Sequence, residues 1–177
     1  MQNEIIIAGF GGQGVLFTGK VLAYAALQDG LEVTWFPSYG PEMRGGTANC
    51  TVVISDEEIG SPLVLNPSAA VVMNQPSLDK YEPLMKKGGY LAVNSSMVNR
   101  TAQRDDIQVM MVPATEIAEE LGDKRFSNVV ILGALASKAD FLDLESVKKG
   151  IKKGLSKTKE ELIEVNLKAL QRGFNFK

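Results

Sequence analysis

The chain is poor in the residues from which self-contained redox and hydrolytic centres are made. It has one cysteine, Cys50, and no histidine. A lone cysteine closes no internal disulfide. Without histidine it also supplies neither a protein-only zinc site nor a cysteine-ligated iron–sulfur cluster, and no imidazole is present to activate it as a nucleophile. The carboxylates are scattered or gathered in the turn Asp56-Glu57-Glu58, and no nucleophile elbow occurs. No catalytic residue and no metal ligand set is therefore predicted. An excess of positive charge is missing as well: the formal net charge is −2, so no overall field draws the chain to nucleic acid or to an anionic membrane. No apolar run approaches the roughly eighteen residues of a membrane span. The apolar strand that starts at Glu4 leaves no room for a signal peptide, so the expected location is the cytoplasm.

What is present reads as an ordinary globular domain. Of the 177 residues, 45% are hydrophobic and 23% charged, enough for a sizeable core, and one domain over 1–177 is the expectation. The charge is uneven, since residues 141–177 hold nine Lys/Arg against five Asp/Glu. That basic tail reads as a solvated helical face.

The opening supplies the clearest motif. "EIIIA" is continuously apolar, as in a parallel strand covered on both faces. It runs into "GFGGQGVLFTGK", in which Gly9, Gly11 and Gly14 fit G-x-G-x-x-G. Glycines in such a loop allow a tight strand-to-helix turn and close approach of a pyrophosphate, and the following helix offers unpaired N–H groups. Gly9, Gly11, Gly12, Gln13 and Gly14 are thus the candidate cofactor-binding residues. Gln13 to Gln28 reads as a helix, apolar almost all round, which implies contact with something beyond its own sheet. "LEVTWF" is a second strand. "TANCTVVI" is a third, "SDEE" a turn and "IGSPLVL" a returning segment, so a hairpin-like excursion after the second strand predicts a mixed sheet.

Next come "AAVVM" as strand, "PSLDKYEPLM" as helix, "YLAVN" and "IQVMMV" as strands and a short helix from Thr115. The remainder is helical: Ser127 caps "SNVVILGALASKA", Asp143 caps a basic helix, and Thr158 with Glu161 forms a capping box. The predicted fold is α/β, a three-layer Rossmann-like domain with a mostly parallel mixed sheet of six or seven strands, a hairpin insertion after strand 2 and a helical C-terminus.

A dinucleotide enzyme needs an acidic residue at the end of its second strand to hold the ribose. Here that end reads Trp35-Phe36-Pro37, while Glu32 begins the strand. "GVLFTGKV" nearly matches a phosphate-binding P-loop, but Val21 stands where a magnesium-ligating Ser/Thr is required. Gly19 within it reads instead as a close-packing position. The segment Pro37–Gly46, "PSYGPEMRGG", is a loop presenting one charge pair, Glu42 and Arg44, which serves either to pin the loop or to meet a ligand or partner. On residues alone a stand-alone NAD(P)-dependent reductase and a nucleotide-sensing module stay open.

Taken together, "GFGGQGV" after the first strand and "SYGPEMRGG" after the second resemble the gamma subunit of the 2-oxoacid:ferredoxin oxidoreductases, and "NPSAAVVMNQPSLDKY" extends the resemblance over essentially the whole chain. The resemblance implies a hetero-oligomer of alpha, beta, gamma and ferredoxin-like delta subunits that oxidatively decarboxylates a 2-oxoacid, forms acyl-coenzyme A and reduces ferredoxin. It places thiamine diphosphate and the iron–sulfur clusters in the partner subunits and leaves this chain assembly and coenzyme A as its roles. On the same basis Tyr39, Glu42, Arg44, Gly45 and Gly46 form an interface or coenzyme A loop. "PSYGPEMRGGTANC" looks more like the 2-oxoglutarate or branched-chain type than the pyruvate type. The indolepyruvate enzymes share a similar domain, so the 2-oxoacid stays open.

Overall fold

The computed structural model describes residues 1–38, 47–155 and 160–177. The apolar run at the start becomes β1 (Gln2–Phe10), whose centre is buried because both of its faces are covered. Three strands run parallel beyond it: β4 (Ala69–Val72), β5 (Tyr90–Asn94) and β6 (Gln108–Val112). On its other side lie β3 (Thr47–Ser55), antiparallel to β1, and then β2 (Glu32–Ser38), antiparallel to β3. The order is β2-β3-β1-β4-β5-β6, a mixed six-stranded sheet.

The antiparallel excursion expected after the second strand is therefore present, but its geometry differs from the hairpin read in the sequence. β3 inserts between β1 and β2, and the returning segment "IGSPLVL" forms no strand. Pro62 removes a ladder donor there, and Leu63 and Leu65 point into solvent. β2 still runs in the direction of β1, one strand removed, so the C-terminal ends of β1, β2, β4, β5 and β6 share one edge of the sheet.

The helices are distributed unequally over the two faces. One face carries α1 (Val15–Gln28), α4 (Ser127–Ala136), α5 (Leu144–Gly154) and α6 (Glu160–Phe174) over the larger core. The other is covered by α2 (Gln75–Tyr81) and by irregular segments around Val64, Val98 and Ala102. The short α3 (Ala114–Glu120) follows β6. The nearly all-apolar α1 has the extra contact its composition demands, because α5 packs on its outer side. A Cβ at Gly150 would strike the Val21 carbonyl and come within 3.1 Å of the Ala25 nitrogen. Gly19 is likewise a packing position, where a Cβ would lie 2.5 Å from Cys50 Sγ and 2.9 Å from Trp35 Nε1. Every residue of α4 is buried, and Gly133 and Gly173 let it touch α6 backbone to backbone.

One helix cap differs from the sequence reading. Asp123, not Ser127, supplies the cap: it accepts from the Arg125 nitrogen at 2.8 Å and starts a 3₁₀ turn that leads into α4. Asp143 caps α5 as expected, accepting from the Ser146 nitrogen at 3.0 Å. Thr158 of the proposed capping box lies outside the described residues. Glu82, 3% exposed after α2, accepts from Arg100 Nη1 at 2.7 Å, from the Arg104 nitrogen at 3.0 Å and from the Gln103 nitrogen. It thereby ties the β5–β6 connection to the end of α2.

Candidate functional site

The glycine loop stands at the C-terminal edge of the sheet, where α/β folds bind their ligands. Its backbone explains why α1 starts at Val15 and not at Gln13. Gly12 and Gly14 have φ of 95° and 74°, a left-handed conformation that keeps the chain out of the helix for two further residues. The Gln13 nitrogen closes the turn on the Phe10 carbonyl at 3.1 Å. Gly9 has a different reason to be glycine: a Cβ there would meet Met73 Cβ at 2.8 Å. Gly14 carries both constraints, because its Cβ would overlap the Asn128 side chain, with Cγ at 2.8 Å. Gly11 and Gly12 are exposed.

Gln13 has a role that its place in the motif does not announce. Its Oε1 accepts from the Phe10 nitrogen at 2.6 Å and from Asn74 Nδ2 at 3.5 Å, and its Nε2 donates to the Met73 carbonyl at 3.2 Å. β1 and β4 are the parallel pair at which the chain changes direction across the sheet, so the crevice between their ends is bridged by the Gln13 amide. The side chain is bound to protein on both sides. The Gly12 and Gly14 amides, in contrast, donate to no acceptor among the described residues.

Asn128, in the first turn of α4 and 4% exposed, holds the loop from the other side by donating Nδ2 to the Gly14 carbonyl at 3.2 Å. The same carbonyl receives the Thr18 nitrogen at 3.0 Å and Thr18 Oγ1 at 3.1 Å. Beside it an open groove of about 320 Å³ is lined by Gly12, Gly14 and Phe17 together with Arg125, Phe126 and Asn128. Arg125 is paired with Asp123, Nε to Oδ2 at 2.6 Å, and its side chain is 80% exposed. The guanidinium holds the Asp123 carboxyl below the usual carboxylate range. A larger groove, about 870 Å³, lies at the other end of α4, along β6 and the C-terminal residues.

Sequence reasoning found the loop but missed Asn128, Arg125 and Asn74, which are brought to it from 50 or more positions away and carry no local motif. The second candidate loop, with Tyr39, Glu42, Arg44, Gly45 and Gly46, lies outside the described residues. Its two anchors do not: Ser38 pairs with Asn49, and Thr47 pairs with Phe10 at the start of the glycine loop. The two motifs thus leave the sheet at neighbouring points of one edge.

The same register argues against a dinucleotide. β3 separates β2 from β1, and Glu32 lies in the row Glu32–Ser55–Gln2 at the opposite end of the sheet from the glycines. Among the described residues no acid stands at the C-terminal end of β2, where a ribose would be held. Cys50 is buried and its thiol is pushed up to about 12, by burial first, with the Trp35 and Gly19 hydrogen bonds lowering it only partly. It is inert as a nucleophile at neutral pH.

Comparison with known proteins agrees with this arrangement. Residues 4–176 match the sequence pattern of pyruvate ferredoxin/flavodoxin oxidoreductase. The chain belongs to that family. It is 43% identical over 173 residues to the ketoisovalerate oxidoreductase subunit VorA of Methanothermobacter marburgensis, covering 97% of this chain and 36% of that protein. It is 38% identical over 177 residues to the 2-oxoglutarate synthase subunit KorC of Methanocaldococcus jannaschii, covering 98% of this chain and 93% of the relative. The crystal structure of the keto/oxoacid ferredoxin oxidoreductase gamma subunit from Geobacter sulfurreducens superposes with a TM-score of 0.85 at 32% identity, covering 98% and 95% of the two chains. The oxidoreductase family therefore includes chains of this length and longer proteins of which this chain spans about a third. No helix among the described residues is long and apolar enough to cross a membrane.

Proposed function

We propose that this chain, as one gamma-type domain over residues 1–177, is a subunit of a cytoplasmic 2-oxoacid:ferredoxin oxidoreductase. The carrying observation is the near end-to-end match to KorC and to the Geobacter gamma subunit. It is joined by the chemistry of the described residues, which bring together no group of three metal-binding side chains and leave their one thiol buried. In this reading alpha, beta and ferredoxin-like delta subunits hold thiamine diphosphate and the iron–sulfur clusters. The assembled complex converts a 2-oxoacid and coenzyme A into acyl-coenzyme A and carbon dioxide, and passes the released electrons to ferredoxin.

This chain contributes assembly and coenzyme A binding. The glycine loop Gly9–Gly14 and the neighbouring segment with Tyr39, Glu42, Arg44, Gly45 and Gly46 are the assigned surfaces. Arg44 is suited to either task, since a guanidinium forms a forked, charge-assisted pair with a phosphate or with a carboxylate of another subunit. Among the 2-oxoacids, 2-oxoglutarate is favoured, because the KorC relative of matching length is a 2-oxoglutarate synthase subunit. The register that leaves β2 without a ribose acid weighs against a stand-alone NAD(P)-binding reductase.

The test is reconstitution. The chain by itself should neither reduce a viologen dye with 2-oxoglutarate and coenzyme A nor purify with iron, and activity should appear when the partner subunits are co-expressed. Activity of the isolated chain, or failure to co-purify with any thiamine-diphosphate subunit, would overturn the assignment.

A further inference from the structure

At the β6 edge of the sheet, backbone hydrogen-bonding groups are left unpaired inside the larger groove. β6 is last in the strand order, and the Gln108 nitrogen donates to the Gly89 carbonyl at 2.8 Å. That bond fixes the phase of the ladder, because successive residues of a parallel strand turn their backbone groups to alternate sides. Gln108, Met110 and Val112 therefore face β5. Val109 and Met111 turn their N–H and C=O groups outwards, where they meet no partner among the described residues. These outward groups open on the groove of about 870 Å³, whose apolar walls include Met110, Ala134, Phe174 and Phe176. Nothing within Gln108–Val112 guards the edge, since the strand holds neither a charge nor a proline. An apolar edge of this kind is a template for a further strand.

The strand is complementary to itself. In an antiparallel pair, two residues that exchange both bonds must each face the other strand. Val109 and Met111 are equidistant from Met110, so a two-fold axis through Met110 sets Val109 of one copy against Met111 of the other, and every outward N–H finds a carbonyl. Met110 then meets its own counterpart as a non-hydrogen-bonded pair, with an unbranched side chain that adapts to its image. The charged side chains lining the groove, Lys138 and Lys177, do not oppose this pairing. α4 runs from Asn128, at the glycine loop, towards Lys138 at the other end of the sheet, beside the start of β6. An antiparallel junction carries the cations of the two copies to its opposite ends.

We infer that the free edge of β6 binds the β6 of a second copy of this chain, joining the two sheets into one and merging the two grooves into a shared apolar layer. The inference goes beyond the subunit reading and does not depend on it. Within a complex, two gamma-type chains then stand side by side.

The test uses the full chain. Sedimentation over about 1–100 µM should show a monomer–dimer equilibrium, as expected for a small interface. In the dimer the Val109 and Met111 amides should exchange with deuterated solvent more slowly than in the dilute monomer, while those of Met110 and Val112, bonded to β5, should be slow in both. Met111→Pro removes an outward N–H without touching the β5 ladder. It should keep a near-parental Tm and weaken association at least about tenfold. Met110→Cys should give a disulfide-linked dimer under mild oxidation, because a non-hydrogen-bonded pair brings the two Cβ atoms within range. Cys50 is buried and should stay reduced. Leu162→Cys, exposed on α6, is the control and should cross-link far more slowly. A chain that stays monomeric at the highest concentration, or a folded Met111→Pro chain that associates as tightly as the parent, would overturn the inference. So would slow Val109 and Met111 exchange that appears only when partner subunits are added, since the edge would then belong to a different chain. If Met111→Pro fails to fold, the Met110→Cys cross-link decides: equal yields from Met110→Cys and Leu162→Cys would sink the pairing.

Discussion

Replacing Gly14 by alanine tests how the loop is held, and its cost can be worked out from two separate effects. At φ 74° an L-residue is strained by roughly 1–2 kcal/mol. The new Cβ also collides with the Asn128 side chain, whose Cγ would lie at 2.8 Å. Asn128 is 4% exposed and cannot swing into water. Displacing it breaks the 3.2 Å bond to the Gly14 carbonyl and leaves a buried amide unpaired, at a cost of about 1–3 kcal/mol. Together Gly14→Ala should destabilise by about 3 kcal/mol, lowering Tm by about 6–12 °C for a chain of this size. Asn128→Ala alone should cost less, about 1–2 kcal/mol, because Thr18 still donates twice to the Gly14 carbonyl. In the double variant the collision is gone and only the backbone strain is added. Urea unfolding of the four proteins should therefore give a coupling of about 1–2 kcal/mol, with the double variant more stable than the sum of the singles predicts. Additivity within about 0.5 kcal/mol would refute the reasoning, since it would mean that the two side chains do not share one space.

Other consequences are as direct. Glu82→Gln should cost about 1.5–3 kcal/mol, the worth of buried hydrogen bonds to a charged group. Burial pushes the Glu82 carboxyl up, but the Arg100 guanidinium and the Gln103 and Arg104 amides outweigh it and hold the group below its ordinary value of 4.5. The stability it contributes is present above that value and is lost as the pH falls through the depressed folded value. The urea midpoint of the Gln variant should accordingly fall less between pH 7 and pH 3 than that of the parent, and parallel acid profiles would count against the assigned role. With its thiol pushed up to about 12, Cys50 should resist a thiol-specific reagent at pH 8 until the chain is unfolded; prompt labelling of the native protein would contradict its burial. Gly173→Ala places a Cβ against the Val130 carbonyl, with the carbonyl carbon at 2.7 Å. Backbone cannot give way as a side chain does, so α4 and α6 must part. A loss of at least about 1–3 kcal/mol is expected, and an unchanged Tm would show that the two helices do not cross there.

Several features were legible along the chain because they are local. The continuous apolar run Glu4–Ala8, the glycines after it and the Asp143 cap each act within a few residues, through burial, backbone freedom or a short hydrogen bond. The order of elements and the α/β class followed from them, as did the shortage of metal ligands in a chain without histidine. The apolar surface of α1 even announced a second neighbour. The identity of that neighbour, α5, was not readable, because the contact depends on Gly150 meeting the Val21 carbonyl across more than a hundred residues.

Strand order was decided at the same level. Nothing in "TANCTVVI" by itself says whether it pairs with the strand before it, with β1 or with both; the covered sheet fixes this by giving each edge of β3 a ladder. The site divides in the same way. The sequence alone determined that a glycine loop follows β1, because left-handed φ values at Gly12 and Gly14 demand residues without a side chain. Only the tertiary structure decided that Gln13 spans the ends of β1 and β4, that Asn128 holds Gly14, and that Arg125 stands over the open flank. Those contacts join residues whose proximity depends on the packing of α4 against the sheet, and packing is a property of the whole folded core, not of any window of its sequence.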